Sequence, residues 1–235
     1  MGSPTFQFKQ FTIAHDRCAM KVGTDGVLVG AWAELPATGK VLDIGTGSGL
    51  IALMAAQRSP GIQVTGIDIV GEAVEQAREN VAASPFQSRV EVRLQSLQEL
   101  AATSERFDAI VCNPPFFEES LLPPEANRSL ARHVQSLSFE SLVAGTATLL
   151  RVDGSFSTIL PTSAFDRFRQ LCVIQGLFLK RYRTVQGTAR KAPKRVLATF
   201  CRQLCSWEEE NPLILNDNGG RSCDYAALTG DFYLW

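Results

Sequence analysis

The chain has 235 residues, of which 45% are hydrophobic and 20% are charged, a composition typical of a globular protein with one large domain. No apolar run approaches the roughly 18 residues of a membrane-spanning helix, and the first residues lack a signal-peptide pattern, so we expect no membrane span and no export. The six cysteines are scattered and there are only two histidines. We therefore expect reduced thiols, no metal and a cytoplasmic location.

The net charge of −1 hides a segregation of charge along the chain. The segment from Arg167 to Trp207 holds ten of the 23 basic residues and none of the 24 acidic ones. Such clustering on a nearly neutral protein is typical of a face that binds a polyanion, although an ordinary solvated surface gives the same pattern. Composition alone leaves both interpretations open.

Short β-branched runs alternate with helical runs along the chain, which indicates an α/β fold. The predicted helices cover residues 48–58, 71–83, 137–150 and 162–175, the third closed by a turn at Asp153-Gly154. The predicted strands cover residues 40–45, 62–68, 89–96, 107–113, 155–161, 178–185 and 194–202. Right-handed crossovers then give a doubly wound, mostly parallel, seven-stranded Rossmann-like sheet with a terminal antiparallel strand.

A glycine-rich loop follows the first predicted strand and begins a helix. Gly45 and Gly47 permit a tight turn and let a ligand approach the backbone. Leu50 stands where a nicotinamide fingerprint needs Gly or Ala, and the Gly-Lys-Ser/Thr ending of a P-loop is absent. Asp43 suits a ligand with an ammonium group, and Asp68 at the end of the second strand suits ribose hydroxyls. Together they resemble the S-adenosylmethionine site of class I methyltransferases.

The tetrapeptide Asn113-Pro114-Pro115-Phe116 ends the fourth predicted strand, at the sheet edge where open α/β folds bind ligands. Each residue before a proline is held extended, and prolines donate no N–H. The Asn113 side-chain oxygen and the Pro114 carbonyl thus remain as acceptors for an exocyclic amine, and Phe116 suits stacking on a flat base. The motif resembles that of amino-methyltransferases, which modify adenine, cytosine or a glutamine amide.

Longer blocks narrow this resemblance to one family. Fewer than 40 residues precede the first strand, too few for the helical substrate domain of the release-factor methyltransferases, and a DNA target-recognition domain has no room. Residues 8–33, 195–200 and 225–235, with the tetrapeptide, closely resemble the bacterial valine-tRNA adenine-N6-methyltransferases. This resemblance implies S-adenosylmethionine-dependent methylation of an adenosine beside the tRNA anticodon. It also implies that residues 1–35 close over the cofactor, with residues 36–235 as the class I methyltransferase domain. We expect a monomer of this single domain.

The resemblance and the charge pattern also assign site residues. The catalytic clamp is Asn113, Pro114, Pro115 and Phe116. The cofactor-binding set is Lys21, Thr24, Asp43, Gly45, Gly47, Asp68, Ile69, Ser96 and Asn113, with Lys21 and Thr24 at the methionine carboxylate and Ser96 or a backbone amide at the adenine. The tRNA phosphates are assigned to Arg181, Arg183, Arg190, Lys191, Lys194 and Arg195, assisted by Arg128, Arg132 and His133.

Three other functions stay open at this point. The same chemistry fits N6-adenine or N2-guanine methylation of rRNA. A non-catalytic RNA-binding protein that keeps the methyltransferase fold is a second possibility, motivated by Ser96 where the family carries an acid. An NAD-dependent dehydrogenase is disfavoured by Leu50.

Overall fold

The computed structural model describes residues 4–18, 20–115 and 137–235. In these ranges an N-terminal hairpin, β1 (Thr5–Gln7) and β2 (Thr12–Ala14), precedes the main sheet. The long strands of that sheet are β3 (Thr38–Ile44), β4 (Gly61–Asp68), β5 (Val90–Leu94), β6 (Phe107–Cys112), β7 (Leu150–Pro161), β8 (Phe178–Gln186) and β9 (Arg195–Cys201). The short strands are β10 (Glu208–Glu209), β11 (Leu213–Ile214), β12 (Asn216–Asp217) and β13 (Gly220–Arg221).

The main sheet has the doubly wound order that the sequence predicts. Its seven long strands lie in the order β8-β9-β7-β6-β3-β4-β5. Both β10 and β11 extend the edge at β8, which gives nine strands in the described part of the chain. All pairs are parallel except those of β9, which runs antiparallel to β7 and β8. The predicted turn at Asp153-Gly154 is wrong, because both residues lie inside β7, where the pairing with β6 shifts register.

Helices cover both faces of the sheet, as expected for this fold class. They are α1 (Thr24–Trp32), α2 (Leu50–Arg58), α3 (Gly71–Ala82), α4 (Leu97–Ala101), α5 (Phe139–Leu149), α6 (Phe165–Ile174) and α7 (Cys223–Thr229). One core packs the hairpin and helices α1, α2 and α3 against one face. A second core packs α4, α5 and α6 against the other.

Helix α1 was not predicted, because its apolar residues show no helical periodicity. Every residue from Gly26 to Trp32 is buried, so the helix is apolar on all sides. It approaches α2 closely at Gly30, where a Cβ atom would lie 2.7 Å from the Met54 sulfur. The hairpin and α1 are thus part of the same core as the strands.

The carboxyl ends of β3, β4, β5 and β6 meet at one edge of the sheet, since these four strands are parallel neighbours. Residues at these ends therefore face a common space, which holds the candidate site. Within the described ranges, no helix is long and apolar enough to cross a membrane.

Candidate active site

The glycine loop after β3 adopts a conformation that only glycine reaches without strain. Gly45 and Gly47 have φ angles of 69° and 53°, and a Cβ atom at either position would meet nothing within 4 Å. The requirement is therefore conformational and not a matter of packing. The amides of Gly45 and Thr46 both donate to the Ile67 carbonyl at 2.9 Å, which fixes the loop to the end of β4.

Asp43 lies buried beneath this loop. Its Oδ2 accepts hydrogen bonds from the Thr46 hydroxyl at 2.6 Å and from the Ala52 amide at 3.1 Å. Its Oδ1 is buried and finds no hydrogen-bond partner among the described residues. Burial raises the pKa of Asp43 to about 7, although both hydrogen bonds act in the opposite direction. A buried acceptor without a partner is rare, and it fits a cationic donor supplied by a ligand.

Asp68 ends β4 and connects two loops. Its Oδ2 accepts from the Gly47 amide at 2.9 Å, and its Oδ1 accepts from the Val70 amide at 3.0 Å. Each carboxylate oxygen has a second lone pair, which suits hydroxyl donors of a ribose. Ile69, beside it, exposes 47% of its surface. An exposed apolar side chain next to this acid suits the flat face of a purine.

Ser96 lies at the same edge, one strand further along the sheet, but its side chain already makes hydrogen bonds within the chain. It caps α4 in a capping box: the Ser96 hydroxyl accepts from the Glu99 amide, and both its hydroxyl and its amide donate to the Glu99 carboxylate at 2.8 Å. A capping box stabilises the start of a helix. The contact of Ser96 with the cofactor adenine stays a prediction. The Ser96 hydroxyl already has a donor and an acceptor in the chain, so it does not require a hydrogen bond from a ligand.

Asn113 follows β6, next to the glycine loop at the same edge. Its side-chain Oδ1 is buried and has no hydrogen-bond partner among the described residues. Pro114 is buried and Pro115 is half-buried. Phe116, together with Arg128, Arg132 and His133, lies outside the described residues. The acceptor that the motif predicts at Asn113 is therefore present and without a protein donor in the described chain.

The N-terminal segment covers this edge. A cavity of about 380 Å³ is lined on one side by the glycine loop, Asn113 and Pro114, and on the other by residues 20–26. Lys21 and Thr24, which the resemblance assigns to the cofactor, both line it. A larger, open depression of about 1140 Å³ includes Lys40, Arg106 and Asp108, at the opposite end of the strands. We do not regard it as the active site, because it contains none of the motif residues.

Two polar residues of α3, missed by the sequence analysis, hold this segment in place. The Asn80 amide group accepts from the Ala14 amide at 2.9 Å and donates to the Ala14 and Ser48 carbonyls, each at 2.8 Å. Gln76 accepts from the Arg17 amide and donates to Asp16. Asn80 thus connects the hairpin to the glycine loop. A buried polar position within an amphipathic helix was the one signal available, and it does not reveal its partner.

The predicted phosphate-binding residues fall into two groups. Arg181 donates to Glu210 at 2.6 Å and to the Trp32 carbonyl at 2.9 Å, with its guanidinium 3.9 Å from the Trp32 ring centroid. Arg183 binds Asp224 and the Asn211 carbonyl, and Arg195 binds Asp25 at 2.8 Å.

The second group comprises three exposed cations in the loop between β8 and β9: Arg190, Lys191 and Lys194. We call them the loop cations. No salt bridge holds any of them among the described residues. Arg181, Arg183 and Arg195 each pair with a carboxylate of the same chain. The assignment to tRNA phosphates stays a prediction for these three arginines and for the loop cations.

Comparison with known proteins agrees with the motifs. Residues 22–160 match the family model described as methyltransferase small domain. A tRNA1(Val) (adenine(37)-N6)-methyltransferase from Phocaeicola vulgatus is 46% identical over 100% of this chain and 99% of its own length. The protein of the same name from Bacteroides fragilis is 44% identical over the same shares. That from Pseudoalteromonas translucida is 43% identical over 97% of this chain and 98% of its own.

Two solved structures show the same fold at low sequence identity. A ribosomal protein L11 methylase from Lactobacillus delbrueckii superposes with a TM-score of 0.57 at 19% identity, covering 80% of this chain and 83% of its own. A 16S rRNA N2-guanine methyltransferase from Thermus thermophilus, solved with AdoMet and guanosine, gives 0.58 at 19% identity, covering 85% and 50%. At this identity the likeness concerns the fold alone.

Proposed function

The chain belongs to the family of tRNA1(Val) (adenine(37)-N6)-methyltransferases, and from this membership we propose that it methylates N6 of adenine 37 in a valine tRNA with S-adenosylmethionine as the methyl donor. We propose further that it acts as a monomer in the cytoplasm, where its substrate is found. The single observation that carries the chemistry is the buried Oδ1 of Asn113 beside the glycine loop, which has no donor among the residues that the structure describes.

The residues present fit S-adenosylmethionine. The unpartnered Oδ1 of Asp43 suits the ammonium group of the cofactor, and the glycine loop leaves open space above its backbone. We assign Asp68 to the ribose, Ile69 and Ser96 to the adenine side, and Lys21 and Thr24 to the methionine carboxylate. When bound, S-adenosylmethionine supplies an electrophilic methyl group on a sulfonium ion.

The chain contributes position and acceptors to the reaction. An exocyclic aromatic amine is a poor nucleophile because its lone pair is delocalised into the ring. The Asn113 side-chain oxygen and the Pro114 carbonyl accept its two N–H groups, so that the lone pair is free to react. No base of shifted pKa is required, because the protonated product amine loses its proton to water. The target base leaves its stack to reach the cavity, as enzymes that modify bases require.

The loop cations supply the contact with tRNA that the charge pattern indicates. They are exposed on the loop that follows β8 and precedes Arg195 at the same sheet edge as the cavity. Phosphate contacts position a nucleic acid and do not read its sequence. We therefore assign affinity to the loop cations and the choice of base to the cavity.

The proposed function is tested with labelled S-adenosylmethionine and unmodified valine tRNA. Nuclease digestion and mass spectrometry then locate the label. We expect one methyl group per tRNA, on N6 of adenine 37. A label on guanine, on ribose or on protein, or methylation of rRNA in preference to tRNA, would refute the proposal. Calorimetry with S-adenosylmethionine separates the enzyme from a non-catalytic RNA-binding protein, which would not bind it.

A further inference from the structure

An ion pair at the rim of the cavity joins α1 to the sheet. Nε of Arg195, at the start of β9, donates to Oδ2 of Asp25 in the first turn of α1 at 2.8 Å. The two side chains are 31% and 30% exposed. Asp25 lines the cavity together with Asn113. The pair therefore lies next to the proposed reaction site, and its partners are 170 positions apart in the sequence.

The two ends of α1 are held in different ways. At its C-terminal end, Arg58 donates to the Gly30 and Ala33 carbonyls at 3.0 and 2.8 Å, and Arg181 donates to the Trp32 carbonyl. At its N-terminal end, the N-cap residue is glycine and makes no side-chain capping bond. In the described part of the chain, Arg195 supplies the side-chain bond that ties this turn to the sheet.

The first turn of α1 also lies beside Asn113, and both line the cavity. A Cβ atom at Gly26 would lie 3.2 Å from Leu50 Cδ2 and 3.8 Å from Asn113 Nδ2, so the Asn113 amide lies beside this turn with room for about one methyl group between them. Nδ2 is the Asn113 atom nearest to that position, so a displacement of the turn changes the surroundings of the amide whose Oδ1 has no partner among the described residues. Small displacements of positioning groups lower turnover strongly.

Arg195 itself stands on a rigid part of the fold. Its backbone pairs with Pro161 of β7 on one side and with Val185 of β8 on the other. Its Nη1 donates to the Lys194 carbonyl at 3.1 Å. We propose that Arg195 is a positioning residue that acts through Asp25: it holds the first turn of α1 against Asn113 and so fixes the acceptor for the substrate amine. This inference rests on the proposed function.

Two single variants and their combination test the proposal. Asp25→Asn and Arg195→Gln are each expected to lower kcat about tenfold, since both release the same turn. The double variant should be no worse than either single one, because the two residues act as a unit. KM for tRNA and its dependence on salt should not change, and Arg195→Lys, which keeps the charge, should recover part of kcat.

A role of Arg195 in phosphate binding predicts the opposite pattern. Arg195→Gln would then raise KM for tRNA and reduce the salt slope by about 0.7–0.9, while Asp25→Asn, which removes a negative charge near the RNA, would leave turnover intact or tighten binding. That result, or additive losses in the double variant, would overturn the proposal. If Arg195→Gln unfolds, Arg195→Lys, which keeps the charge of the pair, is compared with the wild type in kcat and in KM for tRNA instead.

A matched control is the Arg93–Glu105 pair, which has a 2.9 Å bond and side chains that are 29% and 31% exposed. Arg93 also pairs with Glu91 at 2.8 Å. Glu105→Gln therefore removes one of two ion pairs of Arg93, at the same exposure and away from the cavity, and it should leave kcat unchanged. A loss of kcat in this control equal to that of Asp25→Asn would also overturn the proposal. Failure of the wild-type protein to methylate valine tRNA would instead refute the proposed function, so the two failures are distinct.

Discussion

Replacing Asp43 by asparagine distinguishes two effects of this carboxylate: how far it lowers the unfolding free energy, and how far it raises the affinity for the cofactor. The side chain is buried, and its two protein donors, Thr46 and Ala52, both bind Oδ2. An asparagine would keep its carbonyl oxygen at that position and place its NH₂ group where Oδ1 stands. The variant therefore removes a buried charge and presents a donor, in place of an acceptor, to the ammonium group of the cofactor.

The magnitude follows from the pKa of Asp43, which burial raises from 3.8 to about 7. Each unit corresponds to about 1.4 kcal/mol, so the ionised carboxylate costs the folded state about 4 kcal/mol. Because the folded pKa lies above the unfolded one, the folded state keeps its proton where the unfolded chain has lost it. Wild-type stability therefore falls as the pH rises from about 4 to 7, and the full cost is present above pH 7.

Asparagine has no such pH dependence, although its buried N–H groups without partners cost about 1–3 kcal/mol at every pH. The difference in unfolding free energy, variant minus wild type, should thus rise by about 3 kcal/mol between pH 5 and pH 8. At pH 8 the cofactor-free variant is expected to be the more stable protein. Its affinity for S-adenosylmethionine should fall at least about 100-fold, since a buried charge pair is lost and a donor faces a donor.

Denaturant unfolding at several pH values without cofactor measures the first effect, and calorimetry at pH 8 measures the second. The exposed Asp217→Asn controls for the loss of one negative charge. A stability difference that stays constant from pH 5 to pH 8 would refute the assignment of the titration to Asp43. Wild-type cofactor affinity in the variant would refute its contact with the ammonium group.

Three further predictions test other parts of the structure. Asn113→Ala should lower kcat about 10²–10³-fold in single-turnover assays, while calorimetry should find nearly unchanged cofactor affinity. Equal losses of kcat and of cofactor affinity would count against the role of Asn113 as amine acceptor. Changing the loop cations to glutamine should reduce the salt slope of tRNA binding by about 0.7–0.9 per lost phosphate contact, with kcat retained at saturating tRNA; an unchanged slope would remove the loop from the RNA-binding face. Gly30→Ala, whose Cβ would lie 2.7 Å from the Met54 sulfur, should lower the unfolding free energy by about 1–3 kcal/mol, whereas Gly71→Ala, with nothing within 4 Å, should not.

Local patterns predicted most of the fold. All seven predicted strands are present, because β-branched apolar runs bounded by Gly, Pro and Asp are signals within a few residues of chain. Helix α1 was missed because it is buried on all sides and has no polar face to mark its period. The two-residue strands β10 and β11 were missed as well, since such short pairings depend on the position of β8 and not on their own composition.

The charge pattern was the least informative feature of the sequence. It placed Arg181, Arg183 and Arg195 on one basic face, but their acidic partners lie 29, 41 and 170 positions away in the chain. Ion pairs over such separations leave no mark on local composition. The structure was needed to separate the paired arginines from the exposed loop cations.

The sequence by itself determined the chemistry of this protein, because the glycine loop and the segment from Asn113 to Pro115 are short pieces whose conformation is set by their own residues. Only the tertiary structure decided how those pieces become a site. It brought residues 20–26 over the sheet edge, where Arg195 binds Asp25, while Asn80 and Gln76 hold residues 14–17. It also left Oδ1 of both Asp43 and Asn113 buried and without a protein donor in the described chain. Burial and long-range pairing are properties of packing, which no local stretch of sequence specifies.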